Sequence, residues 1–161
     1  MVRFFPVFFL VFSASAFATM TIIEKTFQPQ TTIIKNTASD ALKITVKKSD
    51  FTALYSSSLN TFRSIDMPFT VESINGTSLD YTIALQTSQH YCQEEGQSAT
   101  SLPGVSTTLN NTPFTVGGAG IVVLNSIESD HVMRVAFPSI PRKGASQVCY
   151  GTFVVIAEEK I

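Results

Sequence analysis

Apolar side chains recur at every second position along much of this chain. Three stretches show the alternation most clearly: residues 42–46, 79–85 and 133–137. A period of two is typical of β-strands that turn one face toward a core. Nowhere do apolar residues keep the spacing i, i+3, i+4, i+7 over three turns, as an amphipathic helix requires. The chain is therefore predicted to be all-β.

The connections between these runs carry turn residues. Asn75-Gly76 lies between two strand-like runs and predicts a two-residue turn, since both residues tolerate positive φ. This predicts a hairpin from Phe69 to Leu85. The glycine-rich residues 117–120 lack a lysine and a following helix, so they predict a turn between strands rather than a phosphate-binding loop. Regularly spaced short strands predict one immunoglobulin-like β-sandwich of about seven to nine strands.

The first residues have the features of a secretory signal peptide. Arg3 is the only charged residue before Glu24, residues 4–12 are almost wholly apolar, and Ala16-Phe17-Ala18 fits the small-x-small rule for cleavage. The apolar run is too short to span a bilayer. We expect cleavage after residue 18 and export of the rest of the chain.

Charge and motifs argue against several classes of function. The net charge is −1 and no basic cluster is present, which argues against nucleic acid as a partner. Neither Gly-x-Ser-x-Gly nor His-Glu-x-x-His occurs. His131, Ser146 and Asp130 can be written down as a triad, but any exported domain of this size offers as much. The sequence therefore predicts neither an enzyme nor a cofactor.

Cys92 and Cys149 are the only cysteines of the chain. In an oxidising compartment an even pair predicts one disulfide bond, with free thiols or a metal site as the alternatives. His90 and Glu94 flank Cys92, but no second cysteine or histidine stands at zinc spacing. We therefore expect a disulfide and no metal.

The segment behind the signal has the pattern of an extended strand. One side of it, interrupted by Lys25, presents Ile23, Phe27, Pro29, Thr31 and Ile33. Because proline has no N–H, the strand is confined to a sheet edge or to a non-donating position. It is either the first strand of the sandwich or a strand offered to another molecule. The predicted organisation is a signal peptide (1–18), an N-terminal extension (19–35) and a sandwich domain (36–161).

The last apolar run differs from the earlier ones because both of its faces are apolar. One face carries Cys149, Phe153, Val155 and Ala157, and the other carries Val148, Tyr150, Val154 and Ile156. This predicts a strand inside a sheet, with a neighbour on each side and both faces covered. Only residues 158–161 follow, so the second neighbour is an earlier strand or one from elsewhere. An apolar edge without a neighbour is an aggregation hazard.

These two ends resemble those of chaperone–usher fimbrial subunits, especially the colonisation-factor-antigen type of enterotoxigenic bacteria. Glu24-Lys25 opens an alternating segment, 24–33, as in that family, and residues 149–155 are similar to the closing strand of many pilins. Residues 60–71 and 79–85 are loosely similar to the early strands of the family. Major subunits of this type usually lack cysteines, so a minor subunit fits as well as a shaft subunit.

The resemblance implies donor-strand exchange. The subunit lacks its final strand, a periplasmic chaperone fills the groove, and the N-terminal strand of the next subunit replaces it at an outer-membrane usher. In such β-augmentation, main-chain hydrogen bonds give affinity and side chains in pockets give register. The implied donor residues are Ile23, Phe27, Pro29, Thr31 and Ile33, and the implied acceptor strand carries Phe153, Val155 and Ala157. The product is a cell-surface fimbria, and an adhesive subunit has a host receptor as a further partner.

A second resemblance leads to a different function. Tyr91-Cys92 and the strand of Cys149 are similar to MD-2-related lipid-recognition proteins, which are secreted β-sandwiches that bind lipids or other ligands. The early cysteine that is usual in that family is absent. A lipid that co-purifies with the chain in native mass spectrometry would support this alternative.

Overall fold

The structure, a computed structural model, describes residues 27–31, 41–141 and 146–160. Within these ranges all regular structure is β-strand. The strands in chain order are β1 (Phe27–Thr31), β2 (Leu42–Val46), β3 (Tyr55–Ser56), β4 (Thr61–Phe62), β5 (Ile65–Ser73), β6 (Leu79–Glu94), β7 (Thr100–Ser101), β8 (Ser106–Leu109), β9 (Thr112–Pro113), β10 (Ile121–Ser126), β11 (Glu128–Ala136) and β12 (Gln147–Glu159). Eight of these strands have four or more residues, in agreement with the predicted number.

The strands form two five-stranded sheets and one short hairpin. The first sheet has the order β1-β12-β6-β10, with β7 paired to β6, and the second has the order β2-β5-β11-β8-β9. The hairpin consists of β3 and β4. Both sheets contribute fully buried side chains to one core, among them Tyr81, Ile83, Cys149 and Phe153 from the first sheet and Val71, Leu109, Met133 and Val135 from the second. The predicted all-β sandwich is therefore confirmed.

The alternation in the sequence corresponds to alternating burial in the second sheet. β5 buries Ile65, Met67, Phe69, Val71 and Ser73, and the residues between them are exposed or half-buried. β11 pairs with β5 in antiparallel register and buries His131, Met133 and Val135. Successive side chains of a strand point to opposite faces, so this pattern places the apolar half of each strand in the core.

The predicted hairpin from Phe69 to Leu85 is wrong, because its two strands belong to different sheets. β5 pairs with β2 and β11, whereas β6 pairs with β12, β10 and β7. A turn does form, since the N–H of Gly76 donates to the carbonyl of Ser73 at 3.3 Å. Only Gly76 has a positive φ there, not Asn75, so the turn is not the two-residue type that closes a hairpin. The following residues carry the chain to the other sheet.

The long strand β6 contains a bulge that the sequence analysis did not foresee. In the ladder with β12, Val154 pairs with Thr87 and Val155 pairs with Leu85, which leaves Gln86 as the extra residue. A bulge of one residue exchanges the two faces of a strand. Buried positions accordingly change from odd to even numbers along β6: Tyr81, Ile83 and Leu85 before the bulge, His90 and Cys92 after it.

The predicted signal peptide, residues 1–18, lies outside the described residues, and the boundaries of the predicted extension and domain stay predictions. No helix within the described ranges is long and apolar enough to cross a membrane.

Candidate functional site: the two edges of the C-terminal strand

β12 has a neighbour on each side, as predicted from its apolar pattern. On one side it pairs with β6 in an antiparallel ladder that runs from Gln147 opposite Glu94 to Glu159 opposite Tyr81. On the other side it pairs with β1, which runs parallel to it. The neighbour that does not come from the sandwich domain is thus the N-terminal segment of the chain.

The pairing with β1 covers less than half of this edge. Its register aligns Phe27 with Cys149, Pro29 with Gly151 and Thr31 with Phe153. In the described part of the chain, no strand pairs with this edge of β12 from residue 154 to residue 159. Among the described strands β1 is the outermost of its sheet, which agrees with the first of the two positions that its proline allows. The other two predicted donor residues, Ile23 and Ile33, lie outside the described residues.

The three predicted acceptor residues lie on the core face of β12. Phe153 and Val155 are buried, and Ala157 is partly buried and packs against the core. The opposite face is only partly covered, since Val148 is 50% exposed and Tyr150 is 38% exposed. The prediction that both faces are covered is therefore wrong for the first half of the strand, where side chains stand on the outer surface of the sandwich.

The predicted disulfide between Cys92 and Cys149 is present. The two residues stand directly opposite each other in the ladder of β6 and β12, with their Cα atoms 4.0 Å apart. Both cysteines are buried. The bond fixes the beginning of β12 to β6 and removes both thiols as metal ligands. No group of three histidine, cysteine or acidic residues that could hold a metal ion occurs in the part of the chain that the structure describes.

Gly151, in the middle of the paired edge, adjoins a buried histidine. It pairs with Pro29 on one side and with His90 on the other. A Cβ atom added to Gly151 would overlap Nδ1 of His90 and would lie 2.8 Å from the carbonyl oxygen of Gln89. The imidazole therefore occupies the space that any side chain at position 151 would need.

Burial keeps His90 neutral. The side chain is 5% exposed, its Nε2 lies 2.8 Å from the Ser88 hydroxyl, and its ring centroid lies 4.7 Å from that of Phe153. Desolvation of the charged form lowers the pKa of His90 to about 4. The ring is thus an uncharged, planar element of the core next to the edge where β1 binds.

The second buried histidine, His131, links the two sheets. Asn110 accepts a hydrogen bond from the Val132 N–H through Oδ1 at 3.0 Å, so its Nδ2 donates to Nδ1 of His131 at 3.1 Å. The ring proton then lies on Nε2 and faces the Tyr81 hydroxyl at 3.2 Å. Burial lowers the pKa of His131, and the neighbouring Asp130 opposes this shift. Both ring nitrogens are engaged by Tyr81 and Asn110, an arrangement that does not favour the triad considered from the sequence.

Three surface hollows of the described residues are smaller than a typical ligand pocket. They have volumes of about 220, 210 and 260 Å³, whereas ligand pockets typically have about 300–1,000 Å³. Between the sheets, large side chains such as Tyr81, Phe114 and Phe153 are fully buried. None of these three hollows supports the lipid-binding alternative.

Sequence reasoning missed the pair formed by Gly151 and His90. A signal for it exists, because an isolated glycine inside an apolar strand often marks the close approach of another group. Which group approaches depends on the bulge in β6, which turns His90 toward the core.

Similarity to known proteins is found among solved structures. No family model and no curated protein matches the chain. Among solved structures the chain is similar to the CooA pilin subunit from enterotoxigenic Escherichia coli, with 11% sequence identity, a TM-score of 0.43, and coverage of 74% of this chain and 99% of that one. This similarity does not assign the chain to a family.

Proposed function

We propose that this chain is an exported subunit of a surface fimbria that polymerises by donor-strand complementation. The observation that carries the proposal is the edge of β12 opposite β6, which pairs with the N-terminal segment and not with a strand of the predicted sandwich domain. The same segment of a second copy can pair with the same edge. Such a head-to-tail contact does not close on itself and therefore generates a fibre.

The incomplete cover of this edge supports the same proposal. β1 has 5 residues and β12 has 13, so a longer strand can pair with more of the edge than β1 does. Val155 and Ala157 belong to the core face of the part that β1 does not reach. In the proposed function, a periplasmic chaperone covers this edge before assembly at the usher, because an exposed apolar edge aggregates.

Moving the N-terminal segment tests the proposal. The mature chain, residues 19–161, is compared with a variant in which residues 19–35 are removed from the start and attached through a flexible linker to the C-terminus. We expect the mature chain to form multimers that resist mild denaturation, and the fused variant to be a monomer with a higher melting temperature. Size-exclusion chromatography and thermal unfolding measure the two properties.

The matched control is the same fusion carrying Phe27→Asp, which places a charge on the donated strand. This control should lose the added stability, because burying an unpaired charge is costly. The proposed function is wrong if the mature chain is already a stable monomer and the fusion raises its stability no more than the control does.

A further inference from the structure

The centre of the strand-binding edge is built differently from its flanks. On the core face of β12, Cys149 and Phe153 present side chains, and Gly151 between them presents none. Gly151 does not have a positive φ, so its backbone conformation does not require glycine. Glycine is needed there for space, because the ring of His90 lies where a side chain at position 151 would stand.

His90 reaches this place from the neighbouring strand. It is held there by the Ser88 hydroxyl at 2.8 Å and by the Phe153 ring, whose centroid is 4.7 Å away. The imidazole therefore covers the core face of the glycine. The core face of β12 beside this edge thus carries its own side chains at the two flanking positions and an imidazole from β6 at the central one.

We propose that Gly151 and His90 form the subsite that sets the register of the bound strand, and that this subsite selects proline at position 29. The inference rests on the proposed function in taking the bound strand to be the N-terminal segment of this chain, its own or that of a second copy. The imidazole of His90 fills part of the space next to Gly151. The space that remains for a side chain of the bound strand accommodates the compact ring of proline and disfavours a long branched side chain. Proline also fits an outermost strand because it has no N–H to be left unpaired.

The subsite sets the register without fixing the direction of the strand. In the parallel arrangement Pro29 is aligned with Gly151 and Gln28 with Tyr150. An antiparallel strand centred on the same pair instead aligns Gln28 with Thr152. Pairs of introduced cysteines at these positions therefore report both register and direction, because a disulfide cannot form without backbone movement when the Cα atoms are more than about 7 Å apart.

The experiment uses the mature chain with Gln28→Cys combined with Tyr150→Cys, Thr152→Cys or Val148→Cys, the last being an out-of-register control. Gel mobility after oxidation separates internal from intermolecular crosslinks. We expect one of the first two pairs to crosslink roughly tenfold more than the control pair, as a register preference of about 1.4 kcal/mol requires. Equal crosslinking of all three pairs overturns the proposal.

Further substitutions, added to the variant whose cysteine pair crosslinks, then test the subsite itself. Gly151→Ala should lower the yield roughly tenfold, since overpacking of a filled site typically has an effect of this size. Adding His90→Ala should restore the yield by reopening the space. Pro29→Leu should lower the crosslinking yield of the cysteine variant. It should lower the yield less when Gly151→Ala and His90→Ala are also present. Val148→Ala serves as the neutral control on the same strand.

Two outcomes overturn the inference: an unchanged yield in Gly151→Ala, or no recovery in the double variant while its Cys92–Cys149 bond and circular dichroism are native. If Gly151→Ala alone unfolds the chain, the Pro29→Leu comparison and the double variant decide whether the proposed subsite is correct. The two proposals fail separately. Internal crosslinks at every concentration contradict polymerisation and leave the subsite intact, whereas fibres without any register preference contradict only the subsite.

Discussion

The pairings on the two sides of β12 differ in strand direction, in length and in covalent linkage. Toward β6 the ladder is antiparallel, spans the whole strand and contains a buried disulfide. Toward β1 the pairing is parallel and ends after 5 residues. Parallel pairing is slightly less stable per residue than antiparallel pairing. In the proposed function, β12 therefore combines a permanent contact with an exchangeable one.

The disulfide is placed to keep these two contacts independent. Cys149 is joined to Cys92 on one side and is aligned with Phe27, the first residue of β1, on the other. When the strand at the free edge leaves, the bond still fixes the beginning of β12 to the sheet. A subunit that exchanges edge strands needs an acceptor strand that stays folded during the exchange.

Phe153→Ala should have the largest effect, because Phe153 supports both sides of β12. It pairs with Ser88 on β6 and with Thr31 on β1, and its side chain is fully buried. Removing a buried phenyl ring typically lowers the free energy of unfolding by about 3–5 kcal/mol. Urea unfolding of the mature chain measures the change. Val148→Ala, at a 50% exposed position of the same strand, should change it by less than about 0.5 kcal/mol. A loss similar to that of the control would contradict the role of Phe153 in the core.

Removing the disulfide should weaken the permanent side alone. The bond closes a loop with a sequence separation of 57, for which the chain-entropy model gives about 4 kcal/mol. The double variant Cys92→Ala, Cys149→Ala should therefore unfold at a lower urea concentration, and the slope of its transition should be steeper, because the unfolded chain without the crosslink exposes more surface. The double variant is compared with the unsubstituted chain whose disulfide has been reduced under denaturing conditions. An unchanged midpoint would show that the ladder of β6 and β12 is sufficient without the bond.

Features that depend on local pattern could be predicted from the sequence. The alternation in residues 42–46, 79–85 and 133–137 predicted strands that the structure contains as parts of β2, β6 and β11. The two apolar faces of the last run predicted the two neighbours of β12. The even cysteine pair predicted the disulfide, and the missing N–H of Pro29 predicted an edge or a non-donating position for β1. Each of these inferences uses residues close together in the chain or a rule that holds in any sheet.

Features that depend on which sheet a strand joins could not be predicted. β5 and β6 bury alternate residues whether they form a hairpin or lie in opposite sheets, so alternation alone cannot separate the two arrangements. Beyond Gln86, the polar residues Ser88 and His90 point inward, and no apolar period marks the change of face. The subsite at Gly151 depends on this bulge and was therefore missed.

Acidification should weaken the core beside the exchangeable edge. Burial lowers the pKa of His90 from 6.5 to about 4, so between these values the unfolded chain binds more protons than the folded one. The contribution of neutral His90 to stability is complete above pH 6.5 and is lost as the pH falls toward 4, by up to roughly 3 kcal/mol. Urea unfolding at a series of pH values measures this loss.

His90→Gln is the control for this pH dependence, since it removes the titrating group and leaves the carboxylates unchanged. Between pH 4 and 6.5, the stability of the variant should depend less steeply on pH than that of the parent. The difference between the two slopes should correspond to one proton bound on unfolding. His131 also has a pKa lowered by burial, so the slope should be reduced and not abolished. Identical slopes in the two proteins would mean that His90 is accessible to protons in the folded state.

The smallest expected effect concerns the outer face of the permanent side. Tyr91 and Tyr150 stand opposite each other on β6 and β12, with ring centroids 5.8 Å apart. Cross-strand aromatic pairs typically contribute about 0.5–1 kcal/mol. A double-mutant cycle with Tyr91→Ala and Tyr150→Ala should give a coupling energy of this size in urea unfolding. Because Tyr150 is also aligned with Gln28 on β1, the cycle is repeated in a Gln28→Ala background. An unchanged coupling assigns the aromatic pair to the permanent side, whereas a coupling that disappears would mean that the two sides of β12 are not independent.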